Sequence, residues 1–196
     1  MNSREFFNSR AEEWDSFVYH DESKLRNILG QVCLKSGDNV LDVGTGTGVM
    51  IPYLREIIGD GGRITAVDIS ENMIRVAESK FNFRNVAFIT GDALEIALPE
   101  SSFDCVMCYS MFPHFNDKRA AVLKLADYLK KGGRLVIAHS QSRDAINGVH
   151  REASEAVRDD ELPTAETIKG YFTHAGLDTA VVTDNEDMFF LIGSKP

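Results

Sequence analysis

The stretch Val40-Leu41-Asp42-Val43-Gly44-Thr45-Gly46-Thr47-Gly48 decides the fold. An apolar strand runs into a glycine-rich turn, and a helix opens behind it over residues 49–58, with Pro52 in the first turn where a missing N–H is tolerated. Glycines at such a turn let the backbone approach a ligand closely. The spacing is G-x-G-x-G: Val49 stands where G-x-G-x-x-G would be completed, and no Lys-Ser/Thr pair follows, which excludes a phosphate-binding P-loop. Alone, the turn is weak evidence, and a tight connection without a ligand stays open.

Two further turns change that. Asp68 ends the next apolar run 20 residues after Gly48, where an acid accepts hydrogen bonds from the hydroxyls of a ribose. Gly91-Asp92-Ala93 then follows a third run and sets a carboxylate beside the same crevice. In a doubly wound sheet these turns meet at the carboxyl ends of adjacent strands.

Strands are predicted over residues 39–43, 63–68, 86–90, 103–108, 133–139, 178–183 and 188–193, alternating with helical periods, which is the pattern of an α/β parallel sheet. Ser70 opens a helix to Lys80, Asp117 one to Lys130 that stops at Gly132-Gly133, and Thr164 one ending near Gly176. Only residues 184–187 join the last two strands, so they form an antiparallel hairpin and one strand of the sheet is reversed. Two amphipathic stretches, 3–14 and 23–33, precede the first strand; the first reads as a flap over the site and the second as packing on the sheet.

The 196 residues hold 43% apolar and 26% charged side chains, with 15 Gly and 5 Pro and no repeat or linker, so a single domain over 1–196 is expected. No apolar run approaches the ~20 residues of a membrane span. The start Met1-Asn2-Ser3-Arg4-Glu5 lacks a signal-peptide core, and three cysteines (Cys33, Cys105, Cys108) cannot all pair, so a reducing cytoplasm is expected. Thirty acids against 21 bases leave a charge of −9, which disfavours a non-specific grip on nucleic acid or anionic membrane. A homodimer is left open.

Asp42 through Gly48, Ala66-Val67-Asp68-Ile69-Ser70-Glu71-Asn72-Met73, Gly91-Asp92-Ala93, Phe103-Asp104-Cys105-Val106 and Leu129-Lys130-Lys131-Gly132-Gly133-Arg134-Leu135 resemble, in order, the motifs of class I S-adenosylmethionine-dependent methyltransferases. The small-molecule branch that includes the ubiquinone and menaquinone biosynthesis enzymes is the most similar. The resemblance implies a Rossmann-like sheet of order 3-2-1-4-5-7-6 and S-adenosylmethionine as cofactor. It implies that Asp42 positions the turn and meets the methionine amino group, with Gly44, Thr45 and Gly46 against the cofactor. Asp68 would take the ribose, Ile69 and Ala93 would flank the adenine, Asp92 would accept from its amine, and Met73 and Tyr109 would complete the contacts. A dinucleotide is disfavoured, because Asp42 before the turn suits a cationic amine and opposes a pyrophosphate.

The acceptor end is less settled. Cys105 and Cys108 spell C-x-x-C, but residues three apart on a strand face opposite sides, so both read as core. His114 follows the fourth strand, His139 ends the fifth and His150 lies beyond, all where the transferable methyl faces. Three readings stay open: separate polar residues; a general base at His139 or His114; or a metal ion, or metal-bearing acceptor, held by His114, His139 and His150. The run Ala138 to His150 departs from the quinone branch and turns expectation away from a quinol-like substrate. Residues 141–162 read as a solvated helix or as a lid working with Phe6, Phe7, Trp14 and Tyr19. The expected function is in-line methyl transfer to a small-molecule acceptor. The alternative is a non-catalytic module that binds S-adenosylmethionine, its demethylated product or a metal.

Overall fold

From Asn39 onward hydrophobic strands are joined mostly by amphipathic helices, with β3 to β4 and β6 to β7 joined by loops alone. The structure is a computed structural model and describes residues 2–196. Before the sheet come α1 (Ser3–Arg10), a 3-10 turn (Ala11–Glu13), α2 (Trp14–Phe17) and α3 (Glu22–Val32). Then follow β1 (Asn39–Val43), α4 (Ile51–Ile58), β2 (Arg63–Asp68), α5 (Glu71–Lys80), β3 (Val86–Thr90) and β4 (Phe103–Tyr109). A short 3-10 turn (Phe112–His114) leads to α6 (Lys118–Tyr128), β5 (Leu129–His139), α7 (Arg143–Glu152), α8 (Ala165–His174), β6 (Asp178–Asp184) and β7 (Phe189–Ser194).

The helix starts are set locally. Asn2 and Glu5 form a reciprocal capping box on α1, and Asp21, Ser70, Asp117, Ser142 and Thr164 each accept from a first-turn amide of the helix they open. The seven strands lie in the order β3-β2-β1-β4-β5-β7-β6. All neighbours are parallel except that β7 runs antiparallel to both β5 and β6, as the short final turn requires.

Two apolar layers cover the sheet. One face carries α3 and α4 side chains, including Leu25, Ile28, Leu54 and Ile58; the other carries Phe112, Leu125, Ile168 and Phe172 from α6, α8 and the turn after β4. Leu25, Ile28, Leu29 and Val32 recur at helical spacing on α3, each fully buried and each stabilising by about 1.5–3 kcal/mol. α3 therefore belongs to the core, and only the segment before it lies over the site. Cys105 and Cys108 fall in opposite layers, fully buried, and burial pushes both thiols up. Among the described residues no helix is long and apolar enough to cross a membrane.

One boundary differs from expectation. α6 stops at Tyr128, and Leu129 already pairs with Phe103, so β5 begins earlier and bulges through Lys130–Gly133 before pairing resumes at Arg134 opposite Cys105. Gly132 has φ +79°, and a Cβ on Gly133 would come within 2.9 Å of the Lys130 carbonyl oxygen, so the two glycines permit the bulge rather than only ending the helix.

Candidate active site

The carboxyl ends of β1, β2 and β4 and the turns after β3 and β5 open into one cavity of about 320 Å³. At its floor the chain leaves β1 through Gly44 at φ +66° and Gly46 at φ +57°, and the Thr45 N–H donates to the Val67 carbonyl at 3.0 Å. A Cβ on Gly44 would meet the Met111 side chain at 2.6 Å, whereas one on Gly46 would stand in open space on the cavity side. Gly44 is thus required by packing as well as by φ.

Three acids surround this turn. Asp68 is buried; one carboxylate oxygen accepts from the Gly46 N–H at 2.8 Å and the other from the Ser70 N–H at 2.9 Å. Burial nonetheless raises its pKa. Asp42 lies beneath the turn, not on the cavity wall, and accepts from the Thr45 hydroxyl at 2.7 Å. Burial lifts its pKa to about 7; the Thr45 hydrogen bond pulls it down and the neighbouring Asp68 pushes it up. Asp92 lines the cavity and accepts from the Leu94 N–H at 2.8 Å, while the Tyr128 hydroxyl donates to the Ala93 carbonyl at 3.0 Å and braces that turn from below. Ile69, Met73 and Ala93 complete this half, with Ile69 40% exposed at the rim.

The segment before α3 covers the opening. The Asn8 side-chain oxygen accepts from the Ser70 hydroxyl (2.6 Å) and the Asn72 N–H (3.2 Å), and the Asn72 amide donates back to the Asn8 carbonyl (3.0 Å). Asp15 takes the Thr47 hydroxyl of the glycine turn and pairs with Lys80 at 2.6 Å. Phe6, Phe7, Trp14 and Tyr19 line the cavity from this side, and Phe7 meets the His114 ring edge to face at 5.0 Å.

A family profile described as a methyltransferase domain matches residues 41–137. The ubiquinone/menaquinone biosynthesis C-methyltransferase UbiE of Pseudomonas putida F1 is 28% identical over 173 residues, spanning 74% of this chain and 67% of its own length. The chain belongs to the class I S-adenosylmethionine-dependent methyltransferases. Its fold recurs in a SAM-dependent methyltransferase from Aquifex aeolicus (TM-score 0.75, 22% identity, 96% of this chain and 98% of that one). It recurs also in Haemonchus contortus phosphoethanolamine N-methyltransferase 2, solved with S-adenosyl-L-methionine (TM-score 0.78, 19% identity, 100% and 60%).

The residues of this methyltransferase fit the cofactor. Two buried carboxylates with raised pKa values sit where a cation would restore their ionised form, and the left-handed Gly46 leaves backbone open to a ligand. Of the expected contacts, Gly44, Thr45, Gly46, Asp68, Ile69, Met73, Asp92, Ala93 and Tyr109 line the cavity, and Asp42 supports it from beneath. Tyr109 has a further connection: its hydroxyl donates to Ser140 Oγ at 2.9 Å and lies 3.0 Å from His20 Nδ1.

The methyltransferase does not gather its three histidines around a metal. His114 and His150 line the cavity with ring centroids 5.1 Å apart, but His139 is 1% exposed, behind the wall, with neither ring nitrogen hydrogen-bonded among the described residues. Burial, with an electrostatic contribution from the nearby His114 and His150, drives its pKa down to about 3. The Nδ1 of His114 is taken by the Asp160 carboxylate at 2.7 Å and that of His150 by the Asp160 carbonyl. Among the described residues no group of three or more His, Cys, Asp or Glu is placed to hold a metal ion, so the metal reading of His114, His139 and His150 is corrected. His139, walled off from the cavity, also does not stand as a base.

Sequence reading missed His20, Ser140 and Asp160. Asp160 sits in an acid-rich run with no periodicity, and His20 is a lone polar residue before a helix cap; neither carries a spacing signal.

Proposed function

We propose that this methyltransferase passes the methyl group of S-adenosylmethionine in line to an uncharged small molecule seated under the N-terminal helices, with His114 accepting the proton that the acceptor loses. The observation that supports this reading is the cavity's charge. No Lys or Arg lines it among the described residues, and its acids, Asp68 and Asp92, belong to the cofactor half. A carboxylate or phosphate acceptor would find no counter-charge on the protein and only the sulfonium of the cofactor to offset its desolvation, which costs several kcal/mol. The acceptor half offers Phe7, Trp14, Phe115, Ile146 and Val149, which suit an apolar or aromatic body.

Bound S-adenosylmethionine supplies a methyl already activated on a sulfonium. The protein's part is to hold two reactants in line and exclude water, an effect of about 7–11 kcal/mol in well-oriented systems. Asp68 holds a ribose through the carboxylate lone pairs its two amide contacts leave free. Phe7 and Trp14 shield the cavity from the solvent side, and residues 141–162 close it from the other through Val149, His150, Ala153 and Val157. His114, oriented by Asp160, presents Nε2 to a hydroxyl, amine or thiol.

The test is product formation. S-adenosylhomocysteine release is measured with paired uncharged and anionic acceptors of one skeleton, such as a phenol and the matching benzoate. Turnover confined to the uncharged member is expected, with His114→Gln lowering kcat about 10²-fold or more. Preference for the anionic member overturns the reading.

A further inference from the structure

We infer that Asp160 is the positioning residue of the acceptor site, and that the acceptor it prepares for carries two neighbouring O–H or N–H donors; this deepens the methyl-transfer reading and rests on it. Asp160 holds two imidazoles with two different groups. Its carboxylate receives a hydrogen bond from His114 Nδ1 at 2.7 Å, and its main-chain carbonyl receives one from His150 Nδ1. A carbonyl oxygen can only accept, and so can an ionised carboxylate. Both rings must therefore donate from Nδ1, and a neutral imidazole that is protonated at Nδ1 carries its lone pair on Nε2.

Neither Nε2 has a protein hydrogen-bond partner among the described residues, neither is a buried orphan, and both side chains line the cavity. With ring centroids 5.1 Å apart, the two lone pairs form one accepting surface. Such a surface repels carboxylate and phosphate oxygens and is satisfied by two hydrogens on adjacent heteroatoms or on one amine. A single-donor ligand leaves one half-buried acceptor unpaired, which weakens binding. In the reaction, the bond from acceptor oxygen or nitrogen to the methyl carbon forms as the carbon–sulfur bond breaks, sulfur keeping the electron pair. The acceptor's proton goes to His114 Nε2, and the resulting imidazolium faces the Asp160 carboxylate. His150 keeps hold of the second donor.

The segment carrying Asp160 is itself anchored. The Asn147 side chain donates to the Leu162 carbonyl at 3.1 Å and accepts from the Leu162 N–H at 2.8 Å, both buried. This anchor makes Asp160→Ala informative, because the substitution removes the carboxylate and leaves the main-chain carbonyl for His150.

Side-chain 15N spectra of the full chain with S-adenosylhomocysteine read the tautomers directly, without an acceptor. Both His114 and His150 are expected in the Nδ1–H form; in Asp160→Ala, His114 shifts toward the Nε2–H form while His150 stays unchanged and reports that the segment is still folded. A wild-type His114 in the Nε2–H form, or one indifferent to Asp160→Ala, overturns the positioning role. Catechol, 1,2-dimethoxybenzene and benzoate are then titrated as probes. Catechol is expected to bind at least about tenfold tighter than the other two and to move both Nε2 signals; equal or weaker catechol binding, or none, overturns the two-donor class. Failure to bind S-adenosylhomocysteine would instead refute the methyl-transfer reading, while the tautomer result would stand on its own.

Discussion

His139 shows how far one residue can be read in advance. It shares strand parity with Leu135 and Ile137, which enter the apolar layer under α6 and α8, so alternation along β5 assigns its ring to that layer. Position at the strand end suggested a catalytic role; because both faces of β5 are covered, the ring is buried whichever way it points. A fully buried imidazole with no partner costs about 1–3 kcal/mol. His139→Leu, close in volume and without a polar atom, is accordingly expected to raise Tm in thermal denaturation. The sign with pH follows from its folded pKa of about 3 against 6.5 unfolded. Its neutral form contributes fully above pH 6.5, and that contribution is lost as pH falls toward 3, so the variant should also lose less stability on acidification than the wild type. An unchanged acid slope would mean that another group carries it. Asp68 lies at the opposite extreme: its distance from the glycine turn placed it before any coordinates, whereas Asp160 gives no signal because its role is set by a histidine 46 residues away.

At the scale of elements, the helices and strands were legible because caps and periods are local. Ser70, Asp117 and Thr164 each cap the helix they announce. The start of β5 was not, because Leu129 joins the sheet through a pairing with Phe103 that no short-range pattern encodes. The division of the N-terminal region could be sensed only in part: α3 carries four buried apolar residues at helical spacing, while α1 buries Phe6 alone and is held largely by polar contacts. Polar tethers of this kind yield locally before the core does. Asn8→Ala removes the side-chain acceptor for Ser70 Oγ and the Asn72 amide. It should quicken amide exchange across residues 3–17 and weaken S-adenosylhomocysteine binding several-fold in calorimetry, with β1 amides unaffected. Equal exchange in both proteins would show that the aromatic contacts, not Asn8, hold α1 down.

Across the whole molecule, an acidic balance of −9 hides an unequal distribution. Asp42 is buried beneath the turn and Asp68 beside it at the cavity wall, and burial lifts the pKa of Asp42 to about 7 in the folded chain against 3.8 as its ordinary value. A raised carboxylate stabilises fully below its unfolded pKa, and that stability is lost as pH rises through the folded one. The ligand-free protein should therefore lose stability as pH rises from about 4 to about 7 and level off above that, and Asp42→Asn, still able to accept from Thr45, should flatten that decline. Parallel Tm profiles for the two proteins would exclude Asp42 as the source. The reversed strand was legible from the short final turn, and the meeting of three turns at one end of the sheet from their spacing, while the full strand order came only with the family resemblance; the acceptor end was not legible, because it is assembled from the N-terminal segment, the turn after β4 and residues 141–162, which share no motif.

The reversed strand has a bearing on synthesis. β7 is the last strand in the chain yet sits between β5 and β6, so a nascent polypeptide that has reached residue 188 carries both of those strands with open edges. Residues 189–194 then close two seams at once, and they include Phe189, Phe190, Leu191 and Ile192, all buried. Ribosome-stalled or truncated chains ending before Phe189 would expose unpaired backbone along β5, where Val136, Ile137 and Ala138 run without a charge, and would be drawn to aggregate or to chaperones until the closing strand arrives.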